Sequence, residues 1–164
     1  MNPPFLFIVV TKWFWATCIV VTFINAAIFR VRANQNISAN PDLRQGYRTL
    51  VVGFVTWGNL PWVVMGIGSV FGGVPSVFNY FRPRDGNPFV LSFLASVVLV
   101  WVLGTYWIVF RDGAEMLVKY PGLLNINLKS RRAVMIYWFL SLAGGLVGIV
   151  IMFSRDIPLP PLHP

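Results

Sequence analysis

The sequence predicts an all-α integral membrane protein, a four-transmembrane-helix bundle with a kinked second helix and a short interfacial helix between helices 3 and 4. Two observations predict this class. Of the 164 residues, 57% are hydrophobic and 11% are charged, whereas a soluble domain is about 45–50% apolar and about 25% charged. Four runs without an ionisable side chain also reach the roughly 17–25 residues that cross a hydrocarbon core; they cover residues 13–29, 49–81, 86–110 and 133–154. We therefore expect residues 1–164 to form a single membrane domain.

The first span is predicted at Phe5–Phe29, with Lys12 about a third of the way along it. A lysine at this depth, roughly 10 Å of helix rise from the start of the span, reaches the headgroup region with its flexible side chain. A polar connector rich in Asn and Ser follows at 33–45. Within it, Asn40 and Pro41 are the residue types that favour a helix N-cap and a first helical position, so the second helix is expected to begin near residue 41.

The second span, at about 49–71, differs from the others because its middle carries polar and helix-disrupting residues. These residues are Trp57, Gly58, Asn59, Pro61 and Trp62. Proline removes one helical hydrogen bond and frees a carbonyl about four residues earlier, and in a membrane that carbonyl needs a partner within the protein or water. We therefore expect a kink here. The polar group has two interpretations: Asn59 forms an interhelical hydrogen bond, or it lines a polar pocket together with the freed carbonyl.

Spans 3 and 4 are predicted at about 88–110 and 133–153, where the remaining apolar runs lie. Between them, residues 111–120 include Glu115 and Lys119, an i,i+4 pair in the order that stabilises a helix. This pattern predicts the short interfacial helix.

Small residues recur at helical spacing in spans 2, 3 and 4. They are Gly68, Gly72, Ser92, Ser96, Ser141, Gly144, Gly145 and Gly148. Small side chains let helix backbones approach closely in a membrane. We therefore expect spans 2, 3 and 4 to contact one another through these positions.

The charge distribution predicts an orientation. The chain carries 13 Lys and Arg and a formal net charge of +8. Nine of the basic residues lie in connectors 1–2 and 3–4, against three in connector 2–3 and the C-terminal tail. Because cytoplasmic loops are enriched in Lys and Arg, both basic connectors are placed on the cytoplasmic or stromal side and both termini opposite. The bacterial inner membrane is the favoured location, with the thylakoid or another organelle membrane as alternatives.

The same charges bear on the expected partners. Basic residues beside the spans are expected to contact anionic lipid headgroups. These residues are Arg30, Arg32, Lys129, Arg131 and Arg132. The basic residues are spread over short connectors rather than along one basic helix face, which argues against a nucleic-acid partner.

Several classes of chemistry are disfavoured by what the spans lack. No predicted span contains Asp, Glu or His, the side chains that mark proton relays and ion sites in membranes. A single cysteine, Cys18, implies neither a disulfide nor a Cys-based metal site. We therefore predict no catalytic residues, no metal site and no cofactor. The 26 aromatic residues leave one alternative open, a bound lipid, pigment or quinone on a flat aromatic surface.

The function predicted from these features is a non-catalytic accessory or assembly subunit of a larger membrane protein complex. Its expected partners are the lipid bilayer and other membrane subunits. An alternative is a small solute or ion carrier, or a channel, with its site at the Gly58–Asn59–Pro61 break in span 2. A third hypothesis is a membrane enzyme or lipid-modifying protein.

Overall fold

The computed structural model describes residues 5–122 and 129–155, which form helices joined by short turns. The described part contains six α-helices, numbered in chain order as α1 (Phe5–Lys12), α2 (Phe14–Ala39), α3 (Arg44–Val70), α4 (Pro88–Phe110), α5 (Gly113–Lys119) and α6 (Arg131–Ser154). Three short 3₁₀ turns lie at Pro41–Leu43, Val77–Phe81 and Pro83–Asp85.

Four of these helices are long and apolar enough to cross a membrane. They are α2, α3 together with the 3₁₀ turn before it, α4 and α6. The shortest, α4, has 23 residues and is therefore about 34 Å long at roughly 1.5 Å per residue. The predicted class is confirmed at this level: an all-helical chain with four helices of membrane-spanning length.

The predicted first span is divided at Trp13, where α1 ends and α2 begins. Helical hydrogen bonds nevertheless continue across this point, from the Trp13 N–H to the Val9 carbonyl (3.0 Å) and from the Thr17 N–H to the Trp13 carbonyl (3.1 Å). The junction is therefore a local distortion in a helical path. On the N-terminal side of this junction, α1 packs on the 3₁₀ turn Val77–Phe81. The ring centroids of Phe7 and Phe78 are 5.9 Å apart.

Helix α2 also runs ten residues beyond the predicted end of span 1, to Ala39. Tertiary contacts explain the extension. Ala33 is buried, and the Asn36 side-chain amide donates a hydrogen bond to the Tyr47 hydroxyl of α3 (2.9 Å). The first part of the predicted polar connector is therefore helix packed against helix, and the connection shrinks to a few residues around Asn40. There the predicted cap forms, because the Asn40 side chain accepts a hydrogen bond from the Asp42 N–H (3.2 Å).

The packing of the long helices follows chain order. Helix α3 contacts α2 and α4, and α6 contacts α4 and α5. We call the end that carries residues 30–48, 111–122 and 129–132 the basic end. The opposite end, formed by α1 and the segment 71–87, is the loop end.

A hydrophobic cluster lies at the loop end and two lie at the basic end. The loop-end cluster consists of Met65, Val74, Val77, Tyr80 and Val90. The second joins α2 to α3 through Phe29, Ala33, Tyr47 and Leu50. The third joins α4, α5 and α6 through Ile108, Ala114 and Val134.

The short helix between spans 3 and 4 is present as α5, within the range predicted for it. It follows Asp112, which has a left-handed backbone (φ 55°), a conformation that Asp adopts more readily than most residues. Glu115 forms an ion pair with Arg131 of α6 (3.2 Å), rather than supporting α5 through Lys119 as its spacing had indicated. The pair ties α5 to the beginning of α6.

Candidate functional site

The most unusual polar group in the described part of the chain is Asn59, in the middle of α3. Its side chain is 7% exposed, and its Oδ1 has no hydrogen-bond partner among the described residues. Leaving a buried acceptor unpaired costs roughly 1–3 kcal/mol, and most buried polar groups in native structures are paired. Among the residues of the predicted polar group, Asn59 is therefore the one whose hydrogen-bonding capacity is left unsatisfied by the described residues.

The chain beside Asn59 is close to α2. A β-carbon added at Gly58 would lie 3.7 Å from Thr22 Cγ2 of α2, an ordinary van der Waals distance. Thr22 is itself buried, and its hydroxyl donates to the carbonyl of Cys18 one turn earlier (2.9 Å). Thr22 and Asn59 are thus both buried polar side chains in this region. The Thr22 hydroxyl has a partner, whereas the Asn59 amide oxygen has none among the described residues.

The other members of the predicted group face different surroundings. Trp57 is 48% exposed, whereas Trp62 is half-buried between α2 and α4, with ring centroids 6.2 Å from both Phe14 and Phe93. Pro61 lies inside α3, which continues as helix through it. Within the predicted group, Trp57 therefore faces outward, whereas Asn59 is buried and Trp62 packs against neighbouring helices. The kink at Pro61 stays a prediction.

The predicted small residues of span 2, Gly68 in α3 and Gly72 just beyond its end, lie against aromatic side chains at the loop end. A β-carbon at Gly68 would overlap the Tyr80 hydroxyl and Phe89, and one at Gly72 would overlap the Phe89 ring. Gly66, which the sequence reasoning missed, faces Trp15 of α2 in the same manner. Glycines therefore form notches for aromatic rings on both sides of α3. The helical spacing in the sequence predicts which small residues share a face of the helix. It does not identify the aromatic residues that pack against them.

Helices α4 and α6 meet through a reciprocal pair of tryptophan–glycine contacts. Trp101 of α4 covers Gly145 of α6, and Trp138 of α6 covers Gly104 of α4. The Trp138 indole N–H donates to the Thr105 hydroxyl (3.0 Å), which donates in turn to the Trp101 carbonyl (2.7 Å). We call these five residues the tryptophan seam.

The remaining predicted packing residues lie outside this seam. Gly144 and Gly148 have no atom within 4 Å of an added β-carbon among the described residues, and Ser141 is exposed. On α4, Ser92 is exposed, whereas Ser96 is buried and donates to the Phe93 carbonyl (2.6 Å). Of the predicted set on α6, only Gly145 therefore meets a neighbouring helix at close range.

The predicted headgroup contacts share the basic end. Their side chains are all exposed, namely Arg30, Arg32, Lys129, Arg131 and Arg132. Arg131 pairs with Glu115 while both keep about half of their side-chain surface exposed. Of the other four, Arg30 and Arg32 lie in the C-terminal half of α2, Arg132 lies in the first turn of α6, and Lys129 lies two residues before α6. Together they make this end strongly basic.

The loop end contains an ordered structure that the sequence reasoning treated as a plain loop. Tyr80 is 1% exposed, and its hydroxyl donates to the Met65 carbonyl of α3 (2.7 Å). Burial raises the pKa of this hydroxyl above its ordinary value of 10.0, an effect partly offset by Ser69. The spacing of Val74, Val77 and Tyr80 is the sequence signal that could have indicated a helical turn with one buried face. The hydrogen bond from the buried Tyr80 hydroxyl ties the segment 71–87 to α3.

Comparison with protein-family models, with curated proteins and with solved structures finds no match to this chain. Within the described residues there is also no group of three or more His, Cys, Asp or Glu side chains that could hold a metal ion.

Proposed function

We propose that this chain is a non-catalytic, multi-pass membrane subunit that assembles with other membrane proteins, and that α6 is its docking helix. The observation that supports this proposal is the sparse packing of α6. In its most apolar 18-residue stretch, 6% of residues are buried, compared with 28% for the α3 span and 22% for α4. A helix so weakly covered by its own chain has a surface available for a partner.

The exposed surface of α6 includes features that favour a protein neighbour in addition to lipid. Ser141, Gly144 and Gly148 lie at i, i+3 and i+7 and therefore along one face of the helix, and an added β-carbon at either glycine meets open space. Close approach of helix backbones at small residues is a common mode of association in membranes. Aromatic residues are enriched at interface cores, and Tyr137 and Phe139 of α6 are both exposed.

The proposed orientation places the basic end in the cytoplasm or stroma, and a bacterial inner membrane is the favoured setting. Its support is the enrichment of Lys and Arg at that end, because basic residues are retained on the cytoplasmic side of membranes. The exposed cluster of Arg30, Arg32, Lys129 and Arg132 is then placed to contact anionic headgroups. Each such residue near the surface contributes about 1 kcal/mol.

The proposal is tested by extracting the chain from its own membrane in a mild detergent and identifying co-purifying subunits by mass spectrometry. A Gly144→Leu/Gly148→Leu double variant adds bulk to the open stripe and is expected to lose the partner while retaining its helix content. The matched control is Val147→Leu/Val150→Leu, two exposed positions of α6 that are already branched. Recovery of an isolated 18.5 kDa monomer, or equal partner loss in both variants, contradicts the proposal.

A second candidate function is favoured by one specific observation, the unpaired Oδ1 of Asn59. In this alternative the chain is a small carrier or channel, and the Gly58–Asn59–Pro61 region binds a passing solute or ion. The test uses proteoliposomes with a potassium chloride gradient and a voltage-sensitive dye. Asn59→Leu and Pro61→Ala are expected to abolish flux at unchanged folded levels, whereas Thr56→Val, at an exposed polar position of the same helix, preserves it. A wild-type chain without ion flux rejects the ion-conducting form of this alternative.

A further inference from the structure

The segment between α3 and α4, together with the start of α4, lines a partly open cavity of about 150 Å³ at the loop end. Four polar side chains, Asn79, Arg82, Asp85 and Asn87, converge on it, and Val74 and Val90 are among its apolar lining residues. One ordered water needs roughly 10–15 Å³ measured in this way. The cavity therefore has room for a small polar group with part of its hydration shell.

The walls of the cavity are held in place by the surrounding fold. Val74 and Ser76 are almost fully buried, and Pro83 is buried as well. Tyr80 anchors the segment to the Met65 carbonyl of α3. The 3₁₀ turn Pro83–Asp85 packs on α6. Because these contacts do not involve a ligand, the cavity is preformed, and a bound group does not have to supply the free energy of ordering it.

The two asparagines that line the cavity already use their amide oxygens within the chain. The Asn79 Oδ1 accepts a hydrogen bond from the Ser76 hydroxyl (3.0 Å), and the Asn87 Oδ1 accepts one from the Phe89 N–H (2.9 Å) at the start of α4. Each amide oxygen is therefore engaged. The hydrogen-bonding capacity that these side chains retain lies chiefly in their NH₂ groups, which only donate.

The charged pair adds further donors without a large net charge. One terminal nitrogen of Arg82 lies 3.2 Å from Asp85 Oδ1, but a guanidinium carries five N–H groups, so most of them remain for another acceptor. The Arg82 side chain is the more buried of the two, at 29% exposed against 47% for Asp85. The ion pair is close to neutral overall. This environment suits an oxygen acceptor with a single negative charge better than a cation or a multiply charged anion.

We infer that this cavity binds a singly charged oxyanion, either a phosphodiester or a carboxylate, through Asn79, Arg82 and Asn87. The oxyanion belongs either to a lipid headgroup or to a small solute. The beginning of α4, a 23-residue helix capped by Asn87, adds the partial positive charge of a helix N-terminus next to the site. This inference is independent of the docking role proposed for α6.

The experiment uses the full chain in maltoside micelles and dimethyl phosphate or acetate as the probe, with binding measured by calorimetry. The double variant Asn79→Asp/Asn87→Asp keeps both acceptor oxygens, because Asp also accepts from Ser76 and caps α4, but removes both NH₂ donors and adds negative charge. Its affinity for the oxyanion is expected to fall at least about tenfold, which corresponds to roughly 1.4 kcal/mol. Arg82→Lys is expected to weaken binding similarly, since it loses the planar fork of donors.

The matched control carries the same substitution type at the basic end, Asn34→Asp/Asn40→Asp, where Asn40 is also a capping residue. It is expected to bind the probe as the wild type does. Helix content and thermal unfolding of all variants are compared by circular dichroism. Absence of saturable binding of both soluble probes and of lipid, or equal binding by the wild type and Asn79→Asp/Asn87→Asp, overturns the inference.

Two arms distinguish the sources of the oxyanion. Native mass spectrometry after reconstitution with phosphatidylcholine, phosphatidylethanolamine or phosphatidylglycerol detects retained lipid. A lipid adduct that the wild type and the control keep and that Asn79→Asp/Asn87→Asp loses identifies a headgroup site. Saturable acetate or dimethyl phosphate binding without such an adduct identifies a small-solute site.

Discussion

Helices α3 and α6 have similar lengths, 27 and 24 residues, yet they are packed in different ways. Helix α3 has neighbours on both sides, with Gly66 receiving Trp15 of α2 and Gly68 lying against Phe89 of α4. Helix α6 contacts α4 along the tryptophan seam, and it also contacts α5 and the 3₁₀ turn Pro83–Asp85. Much of its remaining surface is exposed. Hydropathy alone does not determine how well such a helix is covered, because α4 and α6 have the same mean hydropathy of 2.2 in their most apolar stretches, of which 22% and 6% are buried.

The largest expected effect compares one glycine from each helix. Gly68→Ala places a methyl group against Phe89 and the Tyr80 hydroxyl and is expected to cost about 3 kcal/mol, near the top of the overpacking range. Gly144→Ala, in open space, is expected to be neutral or to stabilise by up to about 1 kcal/mol, since Ala favours helix over Gly. Unfolding in mixed micelles monitored by circular dichroism measures both. Equal effects of the two variants would remove the contrast between α3 and α6.

The second effect concerns the buried amide in α3. Asn59→Leu removes an unpaired buried oxygen and is expected to stabilise the chain by about 2 kcal/mol, the typical penalty for such a group. The same unfolding assay measures it, with Thr56→Leu at an exposed position of α3 as the control. A loss of stability in Asn59→Leu alone would show that the amide has a partner whose bond outweighs its burial.

The third effect probes the seam that holds α6. Trp138→Phe removes the indole N–H that binds Thr105 and part of the contact with Gly104. A cost of about 1.5 kcal/mol is expected from the hydrogen bond and the lost packing together. Tyr137→Phe, at the preceding exposed position, is the control and is expected to have little effect. If both substitutions are silent in the unfolding assay, the seam does not hold α6 to α4.

The fourth effect concerns the hydrogen bond that anchors the loop end to α3. Tyr80→Phe loses the hydrogen bond to the Met65 carbonyl, with an expected cost of about 1 kcal/mol. Because the pKa of Tyr80 is raised in the folded chain, the unfolded state loses this proton first, and stability falls as pH rises through and above about 10. Unfolding measured from pH 8 to 11 should show a smaller alkaline loss in Tyr80→Phe than in the wild type. Identical pH profiles would contradict this assignment.

The smallest effect is expected at the basic end of α6. Arg131→Gln breaks the ion pair with Glu115, in which both side chains are about half exposed. Such surface pairs contribute roughly 0–1 kcal/mol and are screened by salt. The expected loss is under about 0.5 kcal/mol and disappears at high ionic strength, as measured by thermal unfolding at two salt concentrations. A large loss that persists in salt would make this pair, rather than the tryptophan seam, the principal attachment of α6.

The sequence predicted the elements whose ends are determined locally. The bounds of α4, Pro88–Phe110, coincide with the predicted third span, because an uninterrupted apolar run begins after a polar capping residue. The Asn40 cap forms for the same local reason. These features follow from residue types and their immediate neighbours.

The features that were missed depend on tertiary contacts. Helix α2 extends to Ala39 because Asn36 meets Tyr47 from another helix, and Gly66 is explained only by Trp15. Periodicity helps little in such helices, because a helix that is apolar on all sides carries no hydrophobic face to orient it. The burial of Asn59 likewise depends on which side of α3 faces its neighbours.

The order of packing has a consequence for how the protein is built during synthesis. Each long helix contacts the one that precedes it in the chain, α3 on α2, α4 on α3 and α6 on α4. A chain with mainly local contacts has less loop-closure entropy to overcome before its native pairs form. Each of these helices that leaves the ribosome therefore finds its preceding neighbour already made, and of the four long helices α6 has the smallest buried share of its most apolar stretch.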